Sequence, residues 1–251
     1  DNGGRIHMVG SAVPFRSGNL AFLVTAAHVC LDCRKRIVPL FTWGTNGPRV
    51  LRQQRLAWEY KPGLTPDADI ALIALTQDDL ADLTMSYQFS DPQTVATTKT
   101  IAPGIHYLIA GYPSVRNKVK SRNYSPPAMA TYLMTGKIQS VASLRHTDKI
   151  DSHHFALCFK GDEVHTLDGV PFHVPRPQGM SGGGVWRLDI DLTSGLATTP
   201  LLVGIGIEYH KTEETFVASR IQNAMPLAHD LVKLVSGVTP SDVLSLEQVR
   251  Q

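Results

Sequence analysis

Cysteine and charge are both scarce in this chain, and each shortage argues against a class of protein. Only 3 of the 251 residues are cysteines, so they cannot all pair, which disfavours the disulfide framework of small secreted domains. The formal net charge is only +2, so the charge balance does not predict nucleic acid as a partner. We see no signal peptide and no apolar run long enough to cross a membrane. We therefore expect no membrane association and a cytoplasmic location, with a secreted or periplasmic one as the alternative.

The cysteines and the basic residues do not predict a cofactor site. Cys30 and Cys33 have the Cys-x-x-Cys spacing of zinc and redox sites, but no second cysteine pair follows and no βαβ pattern surrounds them. The basic run Arg116–Arg122 is interpreted as a solvated loop. We expect no metal and no other cofactor. The states of Cys30, Cys33 and the isolated Cys158 stay open.

Short β-branched and apolar stretches separated by glycine and proline recur along the chain. They do not alternate with regular helices, which argues against a parallel α/β sheet and favours an antiparallel barrel or sandwich. The predicted strands are Ile6–Val13, Leu20–Val24, Arg36–Phe41, Ile70–Leu75, Tyr107–Ala110, Ala130–Ile138, His154–Phe159, Gly184–Leu188 and Leu201–Ile207.

Helical patterns are few. Thr76 is placed to cap a short helix that runs to Leu83. Pro226 stands where a second helix can begin, since Leu227 and Leu231 follow on one stripe, and Thr239–Asp242 looks like a further helix start. We therefore expect an all-β protein with a helical C-terminal tail that docks on a barrel.

The sequence around Ser181, Gln-Gly-Met-Ser-Gly-Gly-Gly-Val-Trp, is the strongest functional pattern in the chain. Glycines beside a serine permit a tight turn that exposes the hydroxyl group, and the N–H groups of Gly179 and Ser181 can then form an oxyanion hole. Taken alone, the same residues also fit a glycine-rich turn with an incidental serine.

A serine nucleophile needs a base and a group that orients the base. His28 ends the run Leu-Val-Thr-Ala-Ala-His and could be that base, or a hydrogen-bonded core histidine. Asp69 precedes an apolar strand, where a buried carboxylate requires a partner, although it could instead cap a turn. Asp67 is the competing carboxylate.

The motifs Thr-Ala-Ala-His, Asp-Ile-Ala-Leu and Gly-Met-Ser-Gly-Gly occur in the order His, Asp, Ser. This combination resembles trypsin-like serine peptidases of the chymotrypsin fold, in particular their bacterial members, and the likeness extends to about residue 225. The resemblance implies two packed antiparallel six-stranded β-barrels with His28, Asp69 and Ser181 as the catalytic triad between them. It implies these units: residues 1–112 as the first barrel, 113–129 as a linker or loop, 130–225 as the second barrel and 226–251 as C-terminal helices.

Two departures from the family pattern concern activation and stabilisation. Many digestive relatives have an aspartate before the serine, which pairs with a newly cut N-terminus. Met180 stands there and cannot form that ion pair, so we do not expect activation by that route. The disulfide that clamps the histidine loop is also missing, because Val29 follows His28 and Cys30 comes one place later.

The resemblance also places the substrate channel, where a peptide would pair with the strand Leu202–Ile207. Glu208 could attract a basic side chain at the substrate position before the cut bond, or could lie on the rim. Arg176 could instead favour an acidic side chain there. The predicted substrate-binding residues are Pro175, Arg176, Gly206, Ile207 and Glu208.

We therefore expect a serine endopeptidase acting on protein or peptide substrates, and two alternatives remain. Gly179–Gly183 also matches Gly-x-Ser-x-Gly of α/β-hydrolases, but that fold requires the acid and histidine after the serine. A protease-fold protein that only binds or scaffolds is the other alternative. A regulatory protein partner could control either kind of protein, with the loop Tyr112–Met129 and the C-terminal helices as contact surfaces.

Overall fold

A computed structural model describes most of the chain, and strands dominate it. The described residues are 10–17, 20–36, 41–44, 47–50, 55–59, 68–84, 86–95, 101–114, 129–145, 148–160, 164–166, 176–189, 199–228 and 231. The strands are β1 Val13–Ser17, β2 Leu20–Ala26, β3 Phe41–Gly44, β4 Gly47–Val50, β5 Arg55–Glu59, β6 Ile70–Ala74, β7 His106–Gly111, β8 Ala130–Thr135, β9 Ile138–Gln139, β10 His154–Cys158, β11 Val164–Thr166, β12 Gly184–Leu188, β13 Leu201–His210 and β14 Thr215–Arg220. The α-helices that precede β7 are α1 Ala27–Arg36 and α2 Gln77–Thr84. The predicted all-β class is confirmed.

Six strands lie within the described residues of the first half of the chain, the number that the resemblance implies. Four of them form an antiparallel sheet in the order β1-β2-β6-β5, and β3 pairs with β4 in a separate hairpin. All five residues of β6 are buried, which agrees with its continuous apolar sequence. The pairing of β2 with β6 brings together the chain segments of two candidate catalytic residues.

The second sheet has the order β11-β8-β7-β12-β13-β14-β10-β9. Its six longer strands are flanked by β9 and β11, which contain 2 and 3 residues and lie at the two edges. The strand β7 belongs to this sheet although it precedes residue 112, where the resemblance ends the first barrel. The chain therefore passes from one sheet to the other between β6 and β7. The proposed division into folding units stays a prediction.

The segment after His28 differs from the expectation that strands dominate there. It forms α1, and Arg36, the first residue of a predicted strand, is the last residue of this helix. Residues 27–36 contain neither glycine nor proline and include Ala27 and Leu31, which favour helix. The strand prediction at Arg36 was wrong because the local helix preference of this run was overlooked.

The predicted helices are found where the structure describes them. The Thr76 hydroxyl group accepts a hydrogen bond from the Asp79 N–H at 3.1 Å and so caps α2. Residues 224–228 and 231 are helical near the predicted start at Pro226, whereas Thr239–Asp242 lies outside the described residues. Within the residues that the structure describes, no helix is long and apolar enough to cross a membrane.

One hydrophobic cluster joins the two sheets and the C-terminal helical segment. It contains Phe22 and Leu72 from the first sheet, Leu202 from β13, and Leu227 and Leu231 from the helical segment. Each of these side chains is buried. The helical segment therefore docks on the first sheet, as its apolar stripe predicts.

Candidate active site

His28 lies at the junction of β2 and α1. The strand β2 ends at Ala26 and the helix begins at Ala27, so His28 is in the first helical turn. The antiparallel register pairs Ala26 with Ile70. Asp69, one residue before Ile70, is thereby placed opposite the start of the helix.

Three hydrogen bonds connect Asp69 to this helix start. His28 Nδ1 lies 2.8 Å from Asp69 Oδ2, and the His28 main-chain N–H donates to Asp69 Oδ1 at 2.9 Å. The Ala27 N–H donates to the carbonyl oxygen of Asp69 at 3.1 Å. The first N–H groups of a helix have no acceptor within the helix, and a carboxylate there also interacts favourably with the helix dipole. Asp69 thus orients the imidazole ring and caps α1.

The backbone of Asp69 has the left-handed value φ 48°, which is uncommon for a residue other than glycine. Aspartate and asparagine tolerate this region better than most residues do. The conformation lets one residue direct both its carbonyl oxygen and its carboxylate toward residues 27 and 28. Sequence patterns did not predict this conformation.

Burial and the neighbouring carboxylate have opposite effects on the pKa of His28. Burial lowers this pKa, while the hydrogen bond and the negative charge of Asp69 raise it, and the net result is a pKa above the ordinary value of 6.5. The His28 side chain is 41% exposed, against 10% for Asp69. The histidine ring is therefore accessible, while its carboxylate partner is shielded from water.

The Ser181 loop has two glycines in left-handed conformations, with φ 84° at Gly179 and φ 86° at Gly182. A Cβ atom on Gly182 would overlap the carbonyl oxygen of Ser11 and the hydroxyl group of Thr25. Between the glycines, Met180 is fully buried in a hydrophobic cluster with Tyr107 and other side chains of the second sheet. Apolar packing of Met180 thus holds the Ser181 loop on the second sheet.

Hydrogen bonding of the loop N–H groups alternates along the chain. Those of Met180, Gly182 and Gly183 donate to the carbonyl oxygens of Pro177, Gly206 and Met180, respectively. Within the described residues, the N–H groups of Gly179 and Ser181 have no acceptor. These are the two groups that the resemblance assigns to an oxyanion hole. Unpaired N–H groups are the donors that an oxyanion requires.

The Ser181 hydroxyl group donates a hydrogen bond to the carbonyl oxygen of Ile207 at 3.1 Å. Ile207 is the extra residue at a bulge in β13, between the paired positions Gly206 and Glu208. Within the described part of the chain no hydrogen bond joins Ser181 to His28. The structure thus brings His28 to Asp69 but leaves the hydroxyl group of Ser181 on a different partner.

A cleft of about 320 Å³ lies beside Ser181. Its walls include two predicted substrate-binding residues, Ile207 and Glu208. Gly206 lies behind it, where its N–H and carbonyl groups are hydrogen-bonded to Gly183 and Gly182. Arg176 is exposed and is not part of the wall, while Pro175 lies outside the described residues.

Three further wall residues were missed by sequence reasoning, namely Tyr209, His210 and Phe216. The predicted strand stopped at Ile207, whereas β13 continues to His210, and β14, which carries Phe216, was not predicted. Thr215–Arg220 contains only three consecutive apolar residues and follows a charged turn, so it gave a weak signal.

Two side chains, His210 and Lys149, contact the Glu208 carboxylate at the cleft. His210 Nε2 lies 2.9 Å from Glu208 Oε2, and Lys149 Nζ lies 3.6 Å from Glu208 Oε1. Lys149 also pairs with Asp148 at 3.3 Å, and its side chain is only 8% exposed. Burial lowers the pKa of Lys149, but the carboxylates of Asp69, Glu208 and Asp148 raise it above its ordinary value. Lys149 is therefore charged at neutral pH.

The described residues contain no group of three histidine, cysteine, aspartate or glutamate side chains able to hold a metal ion. Cys30 lies in α1 and Cys158 in β10, and both are buried. The side chain of Cys33 lies outside what the structure describes. The Cys-x-x-Cys pattern thus forms part of a helix that packs on the first sheet.

No family model matches this chain, and no curated protein matches it. Among solved structures, kallikrein-related peptidase 10 has a TM-score of 0.49 at 14% identity, covering 90% of this chain and 97% of that one. A Glu endopeptidase has a TM-score of 0.44 at 13% identity, covering 86% of this chain and 90% of that one. The serine protease domain of the Sesbania mosaic virus polyprotein has a TM-score of 0.44 at 11% identity, with 85% and 89% covered. All three of these proteins are peptidases or proteases.

Proposed function

We propose that this chain is a serine endopeptidase that hydrolyses peptide bonds through an acyl-enzyme. Ser181 is the nucleophile, His28 the general base and Asp69 the residue that orients the base. The observation that carries the proposal is the pattern of hydrogen bonds at His28 and in the Ser181 loop. Asp69 holds His28 Nδ1 at 2.8 Å, while the N–H groups of Gly179 and Ser181 have no acceptor in the described structure.

The chemistry follows from the roles of these atoms. An ionised Asp69 can only accept hydrogen bonds, so His28 Nδ1 carries the proton and Nε2 presents a lone pair. His28 Nε2 takes the proton of Ser181 as Oγ bonds to the substrate carbonyl carbon. The N–H groups of Gly179 and Ser181 stabilise the resulting oxyanion, at about 3 kcal/mol for each donor.

In the following steps His28 gives up the proton that it took from Ser181. Protonated His28 donates its proton to the leaving amine, which separates and leaves an ester on Ser181. A water molecule, deprotonated by His28, then attacks the ester, and His28 returns this proton to Ser181 Oγ as the bond to the acid product breaks. Before the first step Ser181 Oγ exchanges its hydrogen bond to Ile207 for one to His28, a change of side-chain rotamer.

The edge of β13 supports a peptide as the substrate. Pairing with β12 reaches only to Ile205, whereas pairing with β14 continues to His210. Beyond Gly206 the described strand therefore has a neighbouring strand on one side only. In our proposal an extended peptide adds to the other side, next to Ser181.

Labelling with a fluorophosphonate probe tests the proposal directly. We expect the folded protein to be labelled at Ser181 and labelling to disappear in Ser181→Ala. Ser140→Ala is the control, because the Ser140 hydroxyl group is hydrogen-bonded to the exposed Asp151. A folded wild-type protein that remains unlabelled would contradict the proposal.

The hydrogen bond from Ser181 to Ile207 favours one second candidate, a protease-fold protein that binds peptides without cutting them. In such a protein the hydroxyl group stays on Ile207 and His28 has no proton to accept. The two candidates differ in a mixture of peptides incubated with the protein. An endopeptidase produces new N-termini that mass spectrometry identifies, and these are absent with Ser181→Ala. A binding protein leaves every peptide intact.

A further inference from the structure

Glu208 forms part of the cleft wall, and a carboxylate in such a position can bind a basic side chain. It is 36% exposed, and its residue lines the same cleft as Ser181. An unpaired carboxylate in that place would attract a lysine or arginine side chain of a peptide substrate. The state of this carboxylate therefore bears on which substrates the cleft accepts.

Both oxygen atoms of Glu208 already have a partner from this chain. Oε2 accepts from His210 Nε2 at 2.9 Å, which requires the proton of His210 on Nε2 because a carboxylate only accepts. Oε1 forms an ion pair with Lys149 Nζ at 3.6 Å. Among the described residues these are the hydrogen bond and ion pair of Glu208.

Because Lys149 is buried, a substrate cation cannot easily replace it as the partner of Glu208. Its side chain is only 8% exposed, against 80% for its other carboxylate partner, Asp148. Removing a partner from a buried charge is destabilising, so a substrate cation that took over Glu208 would remove one of the carboxylates that stabilise the charge of Lys149. The same substrate cation would also approach the charge of Lys149 itself, and like charges repel.

We propose that Lys149 masks Glu208, so that the cleft beside Ser181 accepts an uncharged side chain of a peptide substrate and rejects a basic one. Lys149 is thus a specificity-determining residue that acts through Glu208. Part of the remaining wall agrees with this assignment, since Pro177, Ile207, Tyr209 and Phe216 contribute apolar surface beside the polar Gln178. The part of the proposal that concerns substrates rests on the proposed endopeptidase function, whereas the masking itself does not.

Benzamidine, a small planar cation, tests the masking without any turnover. Calorimetric titrations use the full chain carrying Ser181→Ala. We expect weak binding that Glu208→Gln leaves unchanged, because the carboxylate is already neutralised. Lys149→Met should raise the affinity about tenfold or more, the effect of exposing one charged partner. Adding Glu208→Gln to Lys149→Met should abolish that gain.

Asp148→Asn is the matched control, because it removes the exposed partner of Lys149 and leaves the pair with Glu208 in place. It should not increase benzamidine affinity. Lys149→Gln is a second variant in case the methionine variant does not fold. If neither Lys149 variant folds, cleavage of a peptide library by the wild-type chain decides the question.

Two results would overturn the masking. One is benzamidine binding to the parent chain that falls about tenfold in Glu208→Gln, since Glu208 would then be available. The other is a folded Lys149→Met or Lys149→Gln protein without any gain in affinity.

Cleavage of a peptide library separates failure of this proposal from failure of the proposed function. The wild-type chain should cut after apolar residues, and Lys149→Met should gain cleavage after lysine and arginine. Cleavage by wild type after basic residues would overturn the masking while supporting the endopeptidase. No fluorophosphonate labelling together with the expected benzamidine results would overturn the endopeptidase while supporting the masking.

Discussion

The main-chain N–H of Ser11 donates a 2.6 Å hydrogen bond to the carbonyl oxygen of Ser181. The carbonyl oxygen of Ser11 in turn accepts from the Thr25 hydroxyl group, also at 2.6 Å, and Thr25 lies three residues before His28. One residue near β1 thus connects the strand that leads to the candidate base with the loop of the candidate nucleophile. Errors in the distance between these two groups are costly for catalysis, so this connection has functional consequences.

Thr25→Val tests the connection. Valine has the shape of threonine but leaves the Ser11 carbonyl oxygen without this donor, so we expect a loss of about 1–3 kcal/mol in the free energy of unfolding. We also expect kcat/KM to fall, because the Ser181 loop is no longer held to β2. Urea denaturation and peptide hydrolysis measure the two effects. Thr25→Ser keeps the hydroxyl group and should stay close to wild type in both; equal losses in the two variants would contradict the interpretation.

Gly182→Ala should be much more destabilising than Gly104→Ala. Both glycines have left-handed φ values, 86° and 78°, so both substitutions carry a conformational cost of about 1–2 kcal/mol. At Gly104 the new Cβ has no neighbour within 4 Å, whereas at Gly182 it overlaps Ser11 and Thr25. We expect the difference in unfolding free energy between the variants to exceed about 2 kcal/mol. A similar loss in both would show that backbone strain alone requires glycine at position 182.

Asp69→Asn should reduce kcat/KM by roughly 10⁴-fold with little change in fold. Asparagine tolerates the left-handed backbone, but its amide has one oxygen to serve both the N–H and the Nδ1 of His28. The histidine then loses the tautomer that the reaction requires. Asp91→Asn is the control, because Asp91 caps the separate turn Pro92–Thr94. Unchanged hydrolysis in Asp69→Asn would remove Asp69 from the proposed mechanism.

The acid limb of kcat/KM, the fall in activity as His28 is protonated, should have its midpoint above pH 6.5. His28 must be neutral to accept a proton, and Asp69 raises its pKa above the ordinary value although burial opposes this. Activity should therefore be lost at a higher pH than an unperturbed histidine would give. Asp69→Asn removes the charge, and the limb of its residual activity should move to lower pH. An acid limb below 6.5 in wild type would contradict the proposed base.

The stability of the fold should fall in acid because of His154, a different histidine. It is fully buried, and Nε2 has no hydrogen-bond partner in the described structure. Burial lowers its pKa from 6.5, and the charges of Lys149 and His153 act in the same direction. The unfolded chain thus binds the proton first. His154 therefore leaves the unfolding free energy unaffected above pH 6.5 and reduces it as the pH falls below that value, by up to about 1.4 kcal/mol per pH unit.

Denaturation of His154→Asn at several pH values tests this prediction. Asparagine can still accept from the Ile150 N–H but does not titrate. Its stability should therefore depend less on pH below 6.5 than that of wild type or of the control His153→Asn. The raised pKa of His28 acts in another window, since its contribution is complete below 6.5 and is lost as the pH rises through the folded value. An acid dependence unchanged by His154→Asn would assign the effect to other groups.

Sequence reasoning was most successful where a local pattern decides the structure. β12 was predicted with its observed bounds, and the capped helix after Thr76 was found within one residue of its predicted end. Both have strong periodic or capping patterns. The strand β14 was missed because its pattern is weak, and the helix after His28 because its local helix preference was overlooked. Long-range contacts stabilise both. In α1, for instance, Asp69 supplies the acceptor for the His28 N–H from 41 positions away.

The sequence by itself determined which chemical groups are present and in what order: a histidine after a strand, an aspartate before a buried one, and a serine among glycines. Only the tertiary structure decided the hydrogen bonds of those groups. Asp69 meets His28 through the pairing of β2 with β6, and Ser181 donates to a carbonyl group exposed by a bulge in β13. Lys149 reaches Glu208 from a loop on another part of the chain. Hydrogen bonds and charges act over a few ångströms in space, and only the packing of the sheets brings such distant positions that close.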